Sequence, residues 1–119
     1  MTRFGTWLRA EPDGIYCPPG DFWIDPGQPR PRALITHGHA DHARSGHGTV
    51  IATAETLAIM ATRYGPQPGG KAVAYGQPIR VGEVRVCFYP AGHVLGSAQI
   101  LLEYAGERIV VSGDYKRTP

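Results

Sequence analysis

At 119 residues the chain is long enough to bury a core and fits one small domain. Its 42% hydrophobic and 18% charged content is that of a globular protein and excludes a disordered or collagen-like one. A net charge of +2 is too slight to mark a nucleic-acid binder, and no apolar run approaches the length of a membrane span. The N-terminus, Met1-Thr2-Arg3-Phe4, has no apolar stretch followed by a cleavage site, so the expected location is the cytoplasm. Cys17 and Cys87 lie far apart and outside any C-x-x-C spacing. Two reduced, buried thiols are the simpler expectation, with one disulfide as the alternative. Sixteen Gly and eleven Pro act as turn punctuation, which suits many short strands rather than a helical bundle.

In chain order, Phe4 to Leu8 and Gly14 to Cys17 read as strands around an Asp13-Gly14 turn that Glu11-Pro12 lengthens. Cys17-Pro18-Pro19-Gly20 bends the chain, and Asp21 to Asp25 reads as a third strand ending at Pro26-Gly27. Its aromatic residues, Phe22 and Trp23, suit a core better than a base-stacking surface. Gln28-Pro29-Arg30-Pro31 cannot continue a ladder. Ala33 to Ile35 is a short apolar strand. Asp41 could open a helical turn over residues 41 to 45, closed by Gly46, and His47 reads as a loop residue between two glycines. Val50 to Ala52 is a strand, after which Thr53 caps the one clear helix, residues 54 to 64, with Glu55 in its first turn. Leu57, Met60 and Ala61 give that helix an inward face, and Gly65-Pro66 stops it.

Gly69-Gly70-Lys71 lacks the spacing and the following helix of a phosphate loop. Val73 to Tyr75, Ile79 to Val81 and Val84 to Tyr89 then read as strands; in the last, Val84, Val86 and Phe88 alternate with Arg85, Cys87 and Tyr89. Gln99 to Tyr104 and Arg108 to Val111 form a hairpin through Ala105-Gly106.

Chemistry concentrates where strands end. The run Leu34-Ile35 leads directly into Thr36-His37-Gly38-His39-Ala40-Asp41-His42. Imidazole nitrogens and a carboxylate at this density are how proteins hold catalytic zinc, manganese or iron. His37 and His39 are two apart and point the same way from an extended segment, while Asp41 and His42 diverge and can serve a second position. A solvated His-rich loop or a purification tag is the competing reading, but tags are terminal and repetitive, and this run is internal and mixed with Asp. His93, between Gly92 and Gly96, follows another strand end, and Asp114 in Ser112-Gly113-Asp114-Tyr115 follows a third. Three strand ends delivering His, Asp and His to one rim would make a site on a sheet.

These residues resemble a known pattern. Thr36 to His42 looks like the H-x-H-x-D-H signature of the metallo-β-lactamase superfamily, with His93 and Asp114 where that family has its next ligands. Ala91-Gly92-His93-Val94-Leu95-Gly96-Ser97 and Ser112-Gly113-Asp114-Tyr115-Lys116-Arg117 resemble the nucleic-acid-processing β-CASP branch. Cys17-Pro18-Pro19-Gly20-Asp21-Phe22 and Gly113 to Arg117 look closer still to bacterial ligase-associated DNA exonucleases. The resemblance implies an α/β fold, the N-terminal half of an αββα sandwich, mostly short strands with one helix at about 54–64. It implies two divalent metal ions, Zn or alternatively Mn. His37, His39 and His93 would hold one; Asp41 and His42 would hold the other, and Asp114 would bridge them.

A later histidine, the second half of the sandwich and the β-CASP cap are expected from the family and lie beyond Pro119. On that expectation residues 1–119 are a partial domain, with one sheet face left uncovered. Asp41 would also orient or deprotonate the attacking water, and Thr36 and Ser112 are the nearest candidates to fix the imidazoles. The expected partner is nucleic acid, DNA before RNA, with association to a DNA ligase and no membrane. Three functions stay open: a metal-dependent DNA exonuclease of repair, a small-molecule (thioester or lactone) hydrolase of the same superfamily, and an inactive metal-binding remnant. The scattered Arg30, Arg32, Arg44, Arg63, Lys116 and Arg117 are read singly as solvated charges.

Overall fold

Among the described residues, two β-sheets pack face to face, with one helix on the outside of the first. The computed structural model describes residues 7–37, 46–91 and 98–112. The first sheet has the order β1 (Arg9–Glu11), β2 (Gly14–Cys17), β3 (Phe22–Ile24), β4 (Arg32–Leu34), β5 (Thr49–Thr53) and β6 (Gly70–Val73). Strands β1 to β3 run antiparallel, and β3 to β6 pair in parallel. Helix α1 (Ala54–Tyr64) is the crossover that lets β5 and β6 lie parallel. The second sheet is wholly antiparallel, in the order β10 (Glu107–Ser112), β9 (Ala98–Tyr104), β8 (Val84–Pro90), β7 (Ile79–Val81).

Alternation along the strands builds the core. Val84, Val86 and Phe88 of β8 face inward with Ile100 and Leu102 of β9 and Val111 of β10. They meet Phe22, Ile24, Leu34 and Ile51 of the first sheet. On the other face of the first sheet, Ala33, Ile35, Val50 and Ala52 pack under Met60 of α1. The helix is bounded as its sequence requires. The Thr53 hydroxyl accepts from the Thr56 amide at 3.3 Å, and Gly65, at φ 91°, donates its amide to the Ala61 carbonyl at 2.8 Å. Its inward face is shifted from the expected one. Thr56 is buried with Met60, Leu57 is half-buried, and Ala61 is exposed. Both cysteines are free and buried, and burial pushes the Cys17 thiol up to about 11, so it is unreactive at neutral pH.

Three strands depart from their expected positions. The first lies at Arg9–Glu11 rather than Phe4 to Leu8, because Glu11 pairs with Gly14 across a two-residue turn at Pro12-Asp13. Trp7 and Leu8 are buried off the strand, and the Trp7 indole N–H donates to Glu107 at 2.6 Å; residues 4–6 lie outside the described residues. The third strand is shorter than read because Asp21 and Asp25 both adopt positive φ, 51° and 49°. The strand expected at Val73 to Tyr75 runs instead from Gly70 to Val73. Val50 donates to the Gly69 carbonyl at 2.9 Å, and a Cβ on Gly69 would strike the Gly48 carbonyl, so pairing with β5 recruits the glycines. The turn at Ala105 and Gly106, both at positive φ, is the expected hairpin. The helical turn expected over residues 41 to 45 lies outside the described residues.

Among the described residues, the outer face of the second sheet is polar and carries ion pairs. Across it, Arg85 and Arg108 flank Glu103 at 3.6 and 3.3 Å, beside an exposed Val110. At one end the sheets touch backbone to backbone. Gly82, at φ 60°, approaches Gly20 so closely that a Cβ would meet the Gly20 Cα at 2.7 Å and the Pro19 carbonyl at 2.8 Å. Gly76 has a similar φ of 75° but open space around it. Gly76→Ala should therefore cost only the backbone penalty of about 1–2 kcal/mol, and Gly82→Ala distinctly more, as read by chemical denaturation. Equal costs would show that the contact between the sheets is not constraining.

Candidate metal centre

His37 is the member of the candidate set that the described residues include; His39, Asp41, His42, His93 and Asp114 lie outside them. It sits three residues past β4, where the parallel strand stops pairing after Ile35 donates to the Ile51 carbonyl at 3.0 Å. The residue is buried, with 2% of its surface exposed. Its ring orientation follows from two neighbours. Asp25 Oδ1 accepts the Thr36 amide at 2.9 Å and Oδ2 accepts the Thr36 hydroxyl at 2.6 Å. Thr36 Oγ1 lies 2.9 Å from His37 Nδ1. A carboxylate can only accept, so the threonine proton goes to Asp25 and the threonine oxygen accepts from the imidazole. His37 thereby carries its proton on Nδ1, and the lone pair stands on Nε2. That is the donor state a divalent metal requires, and among the described residues it is the feature that fits a metal ligand.

Asp25 is a site residue that sequence reading missed. It was read as the last residue of a strand. Its positive φ of 49° ends β3 and turns the carboxylate, 8% exposed, beneath Thr36, while its amide donates to the Leu34 carbonyl at 2.9 Å. Short polar residues tolerate that conformation, so an Asp closing a strand just before Pro-Gly was the available signal. Thr36, by contrast, was expected to steady an imidazole, and it does so for His37. Ser112, the other candidate, follows buried Val111 in alternation and so belongs to the outer face of the second sheet.

Described neighbours also bring three strand ends to one rim. The Ala98 amide donates to the Thr36 carbonyl at 2.7 Å, joining the start of β9 to the end of β4. Pro90, ending β8, pairs with Ala98, and Gln99 pairs with Ser112, the last residue of β10. Ala98 thus stands against Thr36, with Pro90 and Ser112 on the strands to either side of β9. Among the described residues themselves, no group of three or more His, Cys, Asp or Glu is assembled.

No family model matches the chain. A probable DNA ligase of Opitutus terrae is 34% identical over 106 residues, covering 87% of this chain and 10% of that protein. The Endoribonuclease ysh-1 of Neurospora crassa is 33% identical over 118 residues, covering 71% of this chain and 14% of that protein. A metallo-β-lactamase of Cronobacter sakazakii superposes with a TM-score of 0.62 at 18% identity, over 88% of this chain and 50% of that one. The chain is related in sequence to these nucleic-acid enzymes of the β-CASP type and has the fold of the metallo-β-lactamase superfamily. It spans about a tenth of the length of the ligase it matches and half of the lactamase. The mixed α/β architecture, strand-rich with one helix, is that superfamily's fold.

His47 lies in a loop, as read, but it is not idle there. Its Nδ1 accepts the Arg30 amide at 3.0 Å, and Arg30 is itself clamped by Asp13 at 2.9 Å and lies 3.9 Å over the Trp23 ring. Trp23 is thus half-buried under a guanidinium, while Phe22 is core. Burial lowers the pKa of His47 below the ordinary histidine value, partly opposed by Asp13. The folded state therefore favours the neutral ring: stability is full above the unfolded pKa of about 6.5 and is lost as pH falls below it.

Two measurements check these arrangements. The pH dependence of unfolding between about pH 7.5 and 5.5 should flatten in His47→Asn, and an unchanged slope would contradict the assignment. Thr36→Val should cost about 1–3 kcal/mol in chemical denaturation by leaving Nδ1–H buried without its acceptor. Thr36→Ser should recover most of that loss; equal stability of the Val and Ser variants would remove the bridge from the account.

Proposed function

We propose that this chain is the N-terminal part of a metal-dependent phosphodiester hydrolase, a DNA exonuclease of repair, and that residues 1–119 supply the larger share of its metal ligands. The observation that carries the reading is the orientation of His37: a buried imidazole at a strand end, its Nδ1 tied to Thr36 and Asp25, heading an H-x-H-x-D-H run. In this reading His37, His39 and His93 would hold one divalent ion and Asp41 and His42 the second, and Asp114 would serve as a ligand shared by the two. Imidazole and carboxylate donors without thiolate suit Zn, with Mn as the alternative. Such a pair of ions, when bound, supplies a hydroxide at neutral pH and neutralises phosphate oxygens.

The chain's own residues do the rest. Asp25 and Thr36 keep His37 in one tautomer, and Asp41 orients the attacking water and takes its proton. The main-chain bond from Ala98 to Thr36 holds the two sheets' rims in register.

Support for a nucleic-acid substrate comes from the relatives. The probable DNA ligase matches over 87% of the chain and favours DNA, and the ligase-associated exonucleases it resembles fit that match. A second reading, an RNA endonuclease, is favoured by the several relatives named endoribonuclease or ribonuclease. No helix among the described residues is long and apolar enough to cross a membrane.

The test is degradation of end-labelled DNA and RNA by the protein in its longest translated form, with Zn or Mn. Chelator-sensitive release of nucleotides from DNA ends, lost by at least about 100-fold in His37→Ala, is the expected result. Internal cleavage of RNA alone would favour the second reading. Thioester hydrolysis without cleavage of either nucleic acid would overturn both.

A further inference from the structure

Two grooves, each lined by more than one arginine, differ in charge balance. The groove on the outer face of the second sheet sets Arg85 and Arg108 against Glu83, Glu103 and Glu107, with Arg80, on the edge strand β7, lining both this groove and the second, so carboxylates match or outnumber its cations. The other lies where the edge strand of the first sheet, β6, faces the edge strand of the second, β7. It is a cleft of about 340 Å³ lined by Arg32, Lys71 and Arg80 and by no carboxylate. Its apolar lining includes Ile51, Val73 and Val81, and Thr49 contributes a hydroxyl.

The three cations are held in different ways. Arg32 is half-buried and donates Nη1–H to the Gly20 carbonyl at 2.9 Å, which fixes its guanidinium at the junction of the sheets. Lys71 and Arg80 are exposed and make no ion pair with any described residue. Like charges gathered in one cleft repel, and a low-dielectric wall strengthens both that repulsion and the attraction for an anion. Guanidinium forks match the oxygens of a phosphate in pairs, and an ammonium adds a point charge.

We propose that this cleft binds a phosphate-type anion, either free phosphate or a phosphate of a nucleic-acid strand, at a site distinct from the metal centre. Arg32 opens β4 and His37 lies past its far end, a run of five residues or about 16 Å of extended chain. The cleft and the metal centre thus sit at opposite ends of the same strand. The Gly69-Gly70-Lys71 triplet reaches the cleft as part of β6, by strand pairing and not as a phosphate loop.

The experiment is an amide-shift NMR titration of the chain with inorganic phosphate and, separately, with a short single-stranded oligonucleotide at constant ionic strength. Shifts should concentrate at Lys71, Arg80 and Gly82 with either probe. Lys71→Ala/Arg80→Ala should weaken binding about tenfold or more, with the remaining spectrum unchanged because both side chains are exposed. Lys71→Arg/Arg80→Lys should retain binding. Tighter binding of the oligonucleotide than of phosphate identifies a strand as the source of the anion, and equal binding identifies free phosphate. An absence of shifts at these residues with both probes, or an affinity untouched by the double alanine variant, would overturn the proposal.

Discussion

A carboxylate that can only accept hydrogen bonds sets the chemistry of this rim. Asp25 takes both the amide and the hydroxyl proton of Thr36, which leaves the threonine oxygen to accept from His37. From that one constraint follow the tautomer of His37, the direction of its second nitrogen and the end of strand β3. The backbone must enter positive φ at Asp25 for the carboxylate to reach back. The bonds among Asp25, Thr36 and His37 Nδ1 are buried, the condition under which such a network rigidifies a site.

The two sheets are joined so that this rim is shared. Near the candidate centre the junction is a hydrogen bond, Ala98 to Thr36. At the Gly20–Gly82 contact it is a close approach that permits no side chain. Between them lies the apolar core of Phe22, Leu34, Phe88 and Ile100. The helix covers one outer face through Met60 and leaves the other to a charge ladder around Glu103. That second face presents an exposed Val110 beside the paired charges.

Much of this was legible from residue types. The helix could be bounded exactly because Thr53 and Gly65 are strong, local signals. The Ala105-Gly106 hairpin and the alternation of Val84, Val86 and Phe88 are equally local. What escaped depended on partners distant in sequence. Gly70 became strand because β5 lay beside it, and Trp7 left its expected strand for Glu107, a hundred residues away. At the site, Thr36 was legible because it adjoins His37, whereas Asp25 is eleven positions earlier and carried only the mark of a strand-ending aspartate. Arg32 and Lys71, unremarkable singly, acquire meaning only when β4, β6 and β7 bring them to one cleft.

The most direct measurement is a crystal structure of the zinc-loaded protein, read at His37. The account requires Nε2 of His37 on the metal while Nδ1 keeps its bond to Thr36 and Thr36 keeps its bond to Asp25. Coordination through Nδ1, or a metal site that omits His37, would contradict it.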